Sequence, residues 1–160
     1  MKIRILAVGQ KMPKWVSETF SNYNQRLNKS QQLELIEIPP VVRNKSTTAE
    51  KAKETEGERI LSKLKASEII VLFDEKGKSI STKELAHSIQ NWQMQGQDIA
   101  LIIGGADGVS HQIKQKAKIK WSLSALTFPH PLVRVILAEQ IYRAYSLLSN
   151  HPYHLSLIHI

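Results

Sequence analysis

The chain has no cysteine among its 160 residues. That absence excludes disulfides, thiolate catalysis and cysteine-ligated zinc. No apolar run approaches the roughly 20 residues of a membrane-spanning helix. The opening MKIRILAVGQ holds an apolar run too short for a signal peptide. Internal repeats and low-complexity linkers are absent, and the length suits one core rather than two. These absences predict a cytoplasmic protein of one domain with no membrane contact.

Acidic residues are missing from one stretch in particular. Residues 1–107 carry a net charge of +3 and residues 108–160 a net charge of +5, and nothing acidic lies between Gly108 and Ala138. Lys114, Lys116, Lys118, Lys120 and Arg134 all fall in that stretch. A basic excess can serve solubility alone. Concentrated in one part of the chain, it suits a polyanionic partner, RNA or DNA, bound through phosphate contacts.

Strand and helix signals alternate. Residues 3–8 form an apolar run ending at Gly9 and read as a strand. Trp15, Val16, Phe20, Tyr23 and Leu27 recur at helical spacing behind Pro13. Residues 33–38 alternate and stop at Pro39-Pro40, as a half-buried strand near an edge does. Residues 48–64 read as a charged surface helix with a thin stripe at Ala49, Ala52, Ile60, Leu61 and Leu64. Residues 68–73 and 99–103 read as buried strands, and 121–124 as a short one. Ser81-Thr82-Lys83-Glu84 is a capping box that starts a helix ending at Gly96. Residues 110–118 and 131–148 complete the helices. The order predicts an α/β fold, a mostly parallel sheet with helices on both faces.

Four segments carry candidate chemistry. Glycines 104, 105 and 108 permit a sharp turn and close approach to a ligand beyond a strand's carboxyl end. Their spacing fits neither a dinucleotide fingerprint nor a P-loop; a plain connecting turn is the alternative. Residues 122–131 offer Ser122, Ser124 and Thr127, then His130 between two prolines. His130 is either a general base near neutral pH or a cap for the helix that follows. In that helix, Glu139, Gln140, Arg143, Ser146 and Asn150 share one face, while Arg134 points toward Leu137, Ala138, Ile141 and Tyr145. An arginine there needs an acid, a phosphate or another subunit, unless it escapes to solvent. The helix is apolar nearly all round, so a second subunit is a natural cover. Last, residues 150–154 (NHPYH) suit stacking on an extruded base; a frayed tail is the alternative. His151 and His154 lack a third ligand, so no metal is expected.

The segments LIIGGADGVS, LSALTFPHPLVRVILAEQIYRA and NHPYH together resemble the ribosomal RNA large subunit methyltransferase H family, the small branch of the SPOUT methyltransferases. AVGQKMPKWV, LIEIPP, EGERIL and FDEKGK extend the likeness over residues 1–154 in one register. The resemblance implies a C-terminal trefoil knot, a homodimer and S-adenosylmethionine as methyl donor. It also implies N3 methylation of a pseudouridine in 23S rRNA of assembled ribosomes. Carried over by motif, Phe73, Gly104, Leu123, Ser124, Ala125, Leu126, Thr127 and Phe128 would bind the cofactor. His130, Arg134, Tyr153 and His154 would face the RNA base as catalytic residues.

The chain departs from the pattern at Ala106, where the family usually has proline, and at Phe73, where it usually has leucine. The pattern also closes just after His154, commonly with a basic residue. Residues 155–160 here read as an atypical C-terminal extension, expected to lower activity if that basic residue contacts rRNA. Two other readings stand beside the methyltransferase. One is a non-catalytic RNA- or ribosome-binding protein of the same fold, impaired by the altered tail. The other is a small nucleotide-binding protein unrelated to RNA.

Overall fold

A computed structural model describes residues 1–153. His154 and the extension 155–160 lie outside the described residues. Five strands form one all-parallel sheet in the order β2-β1-β4-β3-β5. The strands are β1 (Ile3–Val8), β2 (Glu34–Ile38), β3 (Ile69–Ser79), β4 (Ile99–Ile103) and β5 (Ile119–Ser122).

Period-two alternation explains why the central strands read as unbroken apolar runs. Ile3, Ile5 and Ala7 of β1 and Ile99, Leu101 and Ile103 of β4 face one core, while Leu6, Val8, Ala100 and Ile102 face the other. The first core is covered by α1 (Lys14–Arg26), α3 (Thr82–Gln95) and α5 (His130–Leu148). The second lies under α2 (Ala49–Lys63) and α4 (His111–Lys116). In the first, Trp92 stacks on Trp121 at 5.7 Å and Phe73 meets Trp121 edge-on at 6.2 Å. Such ring pairs are worth about 0.5–1.5 kcal/mol each beyond their buried area.

Local signals set several boundaries. The Ser81 side chain accepts from the Glu84 amide at 3.1 Å and the Ser81 amide donates back to Glu84 at 3.4 Å, the reciprocal box that starts α3. Gly96 ends that helix in the left-handed region at φ 63°. β2 is an edge strand, paired only with β1 and half exposed, as its alternation and the following prolines predict. Trp15, placed on the apolar stripe of α1 by spacing, is instead 50% exposed.

Two strands differ from expectation. β3 runs on through the polar residues after Phe73 because it pairs with β5 twice. Phe73 and Lys78 both register with Trp121, and residues 74–77 bulge out between them. Gly77 makes this possible: a Cβ there would sit 2.7 Å from the Trp121 backbone. β5 starts at Ile119 rather than 121, since Ile119 and Trp121 point inward while Lys118 and Lys120 stay exposed. The alternating lysines mask the strand in sequence.

Candidate active site

All five strands point their carboxyl ends the same way, which is where open parallel sheets bind ligands. A cleft of about 740 Å³ opens there, between Phe73 of β3, the glycine loop after β4 and the loop after β5. That volume falls in the ~300–1,000 Å³ range of small-molecule sites. Of the residues carried over as cofactor-binding, Phe73, Gly104, Leu123, Ser124, Leu126, Thr127 and Phe128 all line it. Ala125 does not.

The glycine loop is packed tightly on itself. A Cβ on Gly104 would lie 2.7 Å from the Val109 side chain, and Gly108 turns the chain at φ 84°. The Gly108 amide donates to the Gly105 carbonyl at 3.1 Å and closes the turn. In the loop after β5, Ser122 Oγ donates to the Ser124 carbonyl and Ser124 Oγ accepts from the Leu126 amide, each at 3.0 Å. These bonds hold Leu126 at the cleft although it is 72% exposed.

His130 is the first residue of α5, set there by Pro129 before it and Pro131 after it. It lines the cleft, and its Nε2 is buried without a hydrogen-bond partner among the described residues. Burial lowers its pKa, the Val8 carbonyl opposes that, and the Arg134 charge lowers it further. The net shift favours the neutral imidazole.

Arg134 does not escape to solvent: it is 1% exposed. It donates to Glu37 Oε2 at 2.6 Å and to the Gly9 carbonyl at 2.8 Å, while its Nε lacks a partner among the described residues. The expected acid is thus on edge strand β2. Arg134 lies behind His130 rather than in the cleft wall and ties the start of α5 to the ends of β1 and β2.

Tyr153 is not brought to this cleft within one chain. The 19 residues of α5 put about 27 Å of helix between His130 and the far end. There Tyr153 packs edge-on against Tyr142 at 4.6 Å, with the Arg143 guanidinium 4.9 Å from its ring centroid and Arg26 at 5.9 Å. Burial, the Tyr23 hydroxyl and the Glu139 charge raise its pKa. The polar face of α5 is internally paired: Arg143 donates to Glu139 at 2.7 Å, and Ser146 donates to the Arg143 carbonyl.

Sequence reasoning missed Asp74, Glu75, Lys76, Asp107 and Lys114, which also line the cleft. For residues 74–76 the available signal was Gly77 after a polar triplet, a bulge mark inside a strand. Among the described residues no group of three or more His, Asp or Glu side chains is placed to hold a metal. No helix of the described residues is long and apolar enough to cross a membrane.

A family model described as "Predicted SPOUT methyltransferase" matches residues 1–154. The chain belongs to the SPOUT methyltransferase family. A protein named ribosomal RNA large subunit methyltransferase H from Francisella philomiragia is 51% identical over 96% of this chain and 99% of its own length. One of the same name from Thioalkalivibrio sulfidiphilus is 48% identical over the same shares. Among solved structures, a probable methylase family protein from Haemophilus influenzae aligns with a TM-score of 0.53 at 13% identity, covering 97% of this chain and 69% of that one. A putative methylase family protein from Neisseria gonorrhoeae gives 0.53 at 12%, covering 88% and 81%. At such identities the structural likeness speaks to the fold. As a SPOUT methyltransferase, this chain is an enzyme that takes a methyl group from a donor cofactor.

Proposed function

We propose that this protein is an S-adenosylmethionine-dependent methyltransferase acting on N3 of a pseudouridine in 23S rRNA of assembled ribosomes, as a cytoplasmic homodimer. The carrying observation is the carboxyl-end cleft, with the glycine loop on one side and His130 on the other. The relatives' name directs that chemistry to large-subunit rRNA.

The residues present fit such a cofactor. Phe73, Leu123 and Phe128 offer apolar walls to a purine, and Gly104 lines the cleft beside them. Asp74 and Glu75 bring negative charge near a cationic ligand. When bound, S-adenosylmethionine supplies an electrophilic methyl group. The chain's own part is to orient the acceptor and exclude water, which can supply most of the rate. His130, which lines the cleft, is the residue placed to take the N3 proton. Arg134 fixes the helix start that carries it.

Several features support the rest of the reading. Exposed Lys116, Lys118 and Lys120, with Lys76 and Lys78 on the neighbouring β3 extension, form a basic strip beside the cleft suited to RNA phosphates. Tyr153 stands at the wrong end of α5 to join His130 of the same chain, so a site using both draws the tail from a second protomer. Val135, Ile136 and Tyr142 of α5 are only half buried, which supports that second protomer as their cover. After β5 at one sheet edge, the chain returns to pack α5 on α1 and α3 and to reach Gly9 and Glu37. That return across the strand ends supports the trefoil knot.

The test is transfer of labelled methyl groups to ribosomes lacking the modification. We expect incorporation into intact ribosomes and little into free rRNA. Equal labelling of naked rRNA contradicts the substrate, and ribosome binding without incorporation favours the non-catalytic reading. Running the assay with and without residues 155–160 isolates the tail.

A further inference from the structure

The segment EGERIL belongs to the family resemblance, yet nothing in the cleft or the basic strip uses it. The structure gives its first two residues a place. Glu56 of α2 is 2% exposed. Its Oε2 accepts from the Val41 amide at 2.9 Å and from Arg43 at 2.6 Å, and its Oε1 accepts from Arg43 at 3.1 Å. Arg43 then donates through Nε to Asp107 at 2.9 Å. Asp107 belongs to the glycine loop that walls the cleft. A buried carboxylate on one helix is thus linked, through one guanidinium, to the loop against which the cofactor would lie.

Two glycines show how tightly the parts fit. A Cβ on Gly105 would lie 3.2 Å from Glu56 Oε1, so the loop rests on the carboxylate itself. A methyl group on Gly57 would overlap the hydroxyl of Ser110, the residue that caps α4 directly after the loop. The loop is therefore braced at its middle by Glu56 and Arg43 and at its exit by the close approach of Gly57. Hydrogen bonding to Glu56 and then Asp107 outweighs burial and raises the Arg43 pKa, so the linking charge is permanent.

We propose that Glu56, Arg43 and Asp107 form a brace that sets the glycine loop in its cofactor-binding shape, with Arg43 as a positioning residue. Arg43 does not line the cleft and touches no ligand there; it acts through Asp107. The planar guanidinium is needed because it must serve two carboxylates at once, which a lysine's point charge does poorly. Pre-shaping the loop spares the cofactor the ordering cost of closing it. This inference rests on the cofactor reading of the cleft.

The experiment is calorimetric titration of the full chain with S-adenosylmethionine, alongside thermal melts. The variants are Arg43→Ala, Arg43→Lys, Asp107→Asn and the Arg43→Ala/Asp107→Asn double substitution. Arg43→Ala should weaken binding about tenfold, as coupled neighbours do, and Arg43→Lys should restore part of it. The double variant should bind no worse than Arg43→Ala alone, because Asp107 then has no brace left to lose. Losses that multiply in the double variant would mean that Asp107 acts on the cofactor directly, and would overturn the brace. So would Arg43→Ala melting early while binding with unchanged affinity. Failure of the unsubstituted, folded protein to bind would instead overturn the cofactor reading beneath it.

Discussion

Two arginines are buried at opposite ends of the same parallel sheet, and they are treated differently. Arg4, near the amino end, donates twice to Glu68, at 2.7 and 2.6 Å, and once to the Lys63 carbonyl at 2.7 Å. Glu68 is itself sealed, its side chain 1% exposed, and it also accepts from the Lys65 amide. Burial alone would raise the Glu68 pKa; the bonds from Arg4 and Lys65 and the Arg4 charge bring it below its ordinary value. Arg134, near the carboxyl end, pairs with a carboxylate 39% exposed and leaves Nε without a partner among the described residues; the buried Nε2 of His130 also lacks one there. The amino end is closed and satisfied. The carboxyl end keeps unused hydrogen-bonding capacity, and buried groups left that way mark sites rather than struts.

The largest expected effect breaks the closed end. Arg4→Ala strands a buried carboxylate and should cost about 3–5 kcal/mol of stability, read by urea unfolding. Because Glu68 holds a lowered pKa, its contribution is present above the unfolded value near 4.3 and is lost as pH falls through the folded one. Affinity for S-adenosylmethionine should not change. An affinity loss as large as the stability loss would erase the distinction between the two ends.

Arg134→Ala comes next. Glu37 can hydrate when its partner is gone, so the stability loss should stay at about 1–3 kcal/mol, while methylation falls by about tenfold or more. A large drop in melting temperature with normal specific activity would make Arg134 the structural twin of Arg4.

The smallest effect sharpens the comparison without breaking it. His130 has a folded pKa below its unfolded value of about 6.5, so the unfolded chain binds more protons between the two. Its contribution to stability is full above about pH 6.5 and is lost as pH falls through the folded pKa. Arg134→Gln removes one of the lowering causes, so the imidazole titration followed by NMR should move upward. A titration that stays in place would show that Arg134 does not tune His130.

Much of the frame was legible in the residues. The Ser81 box, the Gly96 stop and the alternation of β2 are local devices, and each appears where its pattern sits. The cleft loops were legible through the family motifs, with Ala125 the one residue of its run outside the cleft lining. The extension of β3 was hidden, because Asp74, Glu75 and Lys76 look like a loop until Lys78 re-pairs with Trp121. The brace was hidden too: Glu56 reads as one more charge on a charged helix, and only folding places it under Gly105.

By itself the sequence determined what local periodicity and turn chemistry encode: strand and helix order, an edge at Pro39, a proline-framed histidine and a glycine loop without a P-loop's spacing. Tertiary structure alone decided which charges are satisfied. Arg134 meets Glu37 across 97 residues of chain, and Arg4 meets Glu68 across 64. Those meetings depend on the strand order 2-1-4-3-5, which no local pattern states. One arginine met a buried carboxylate and the other a partly exposed one because strand order, not residue type, chose the partner of each.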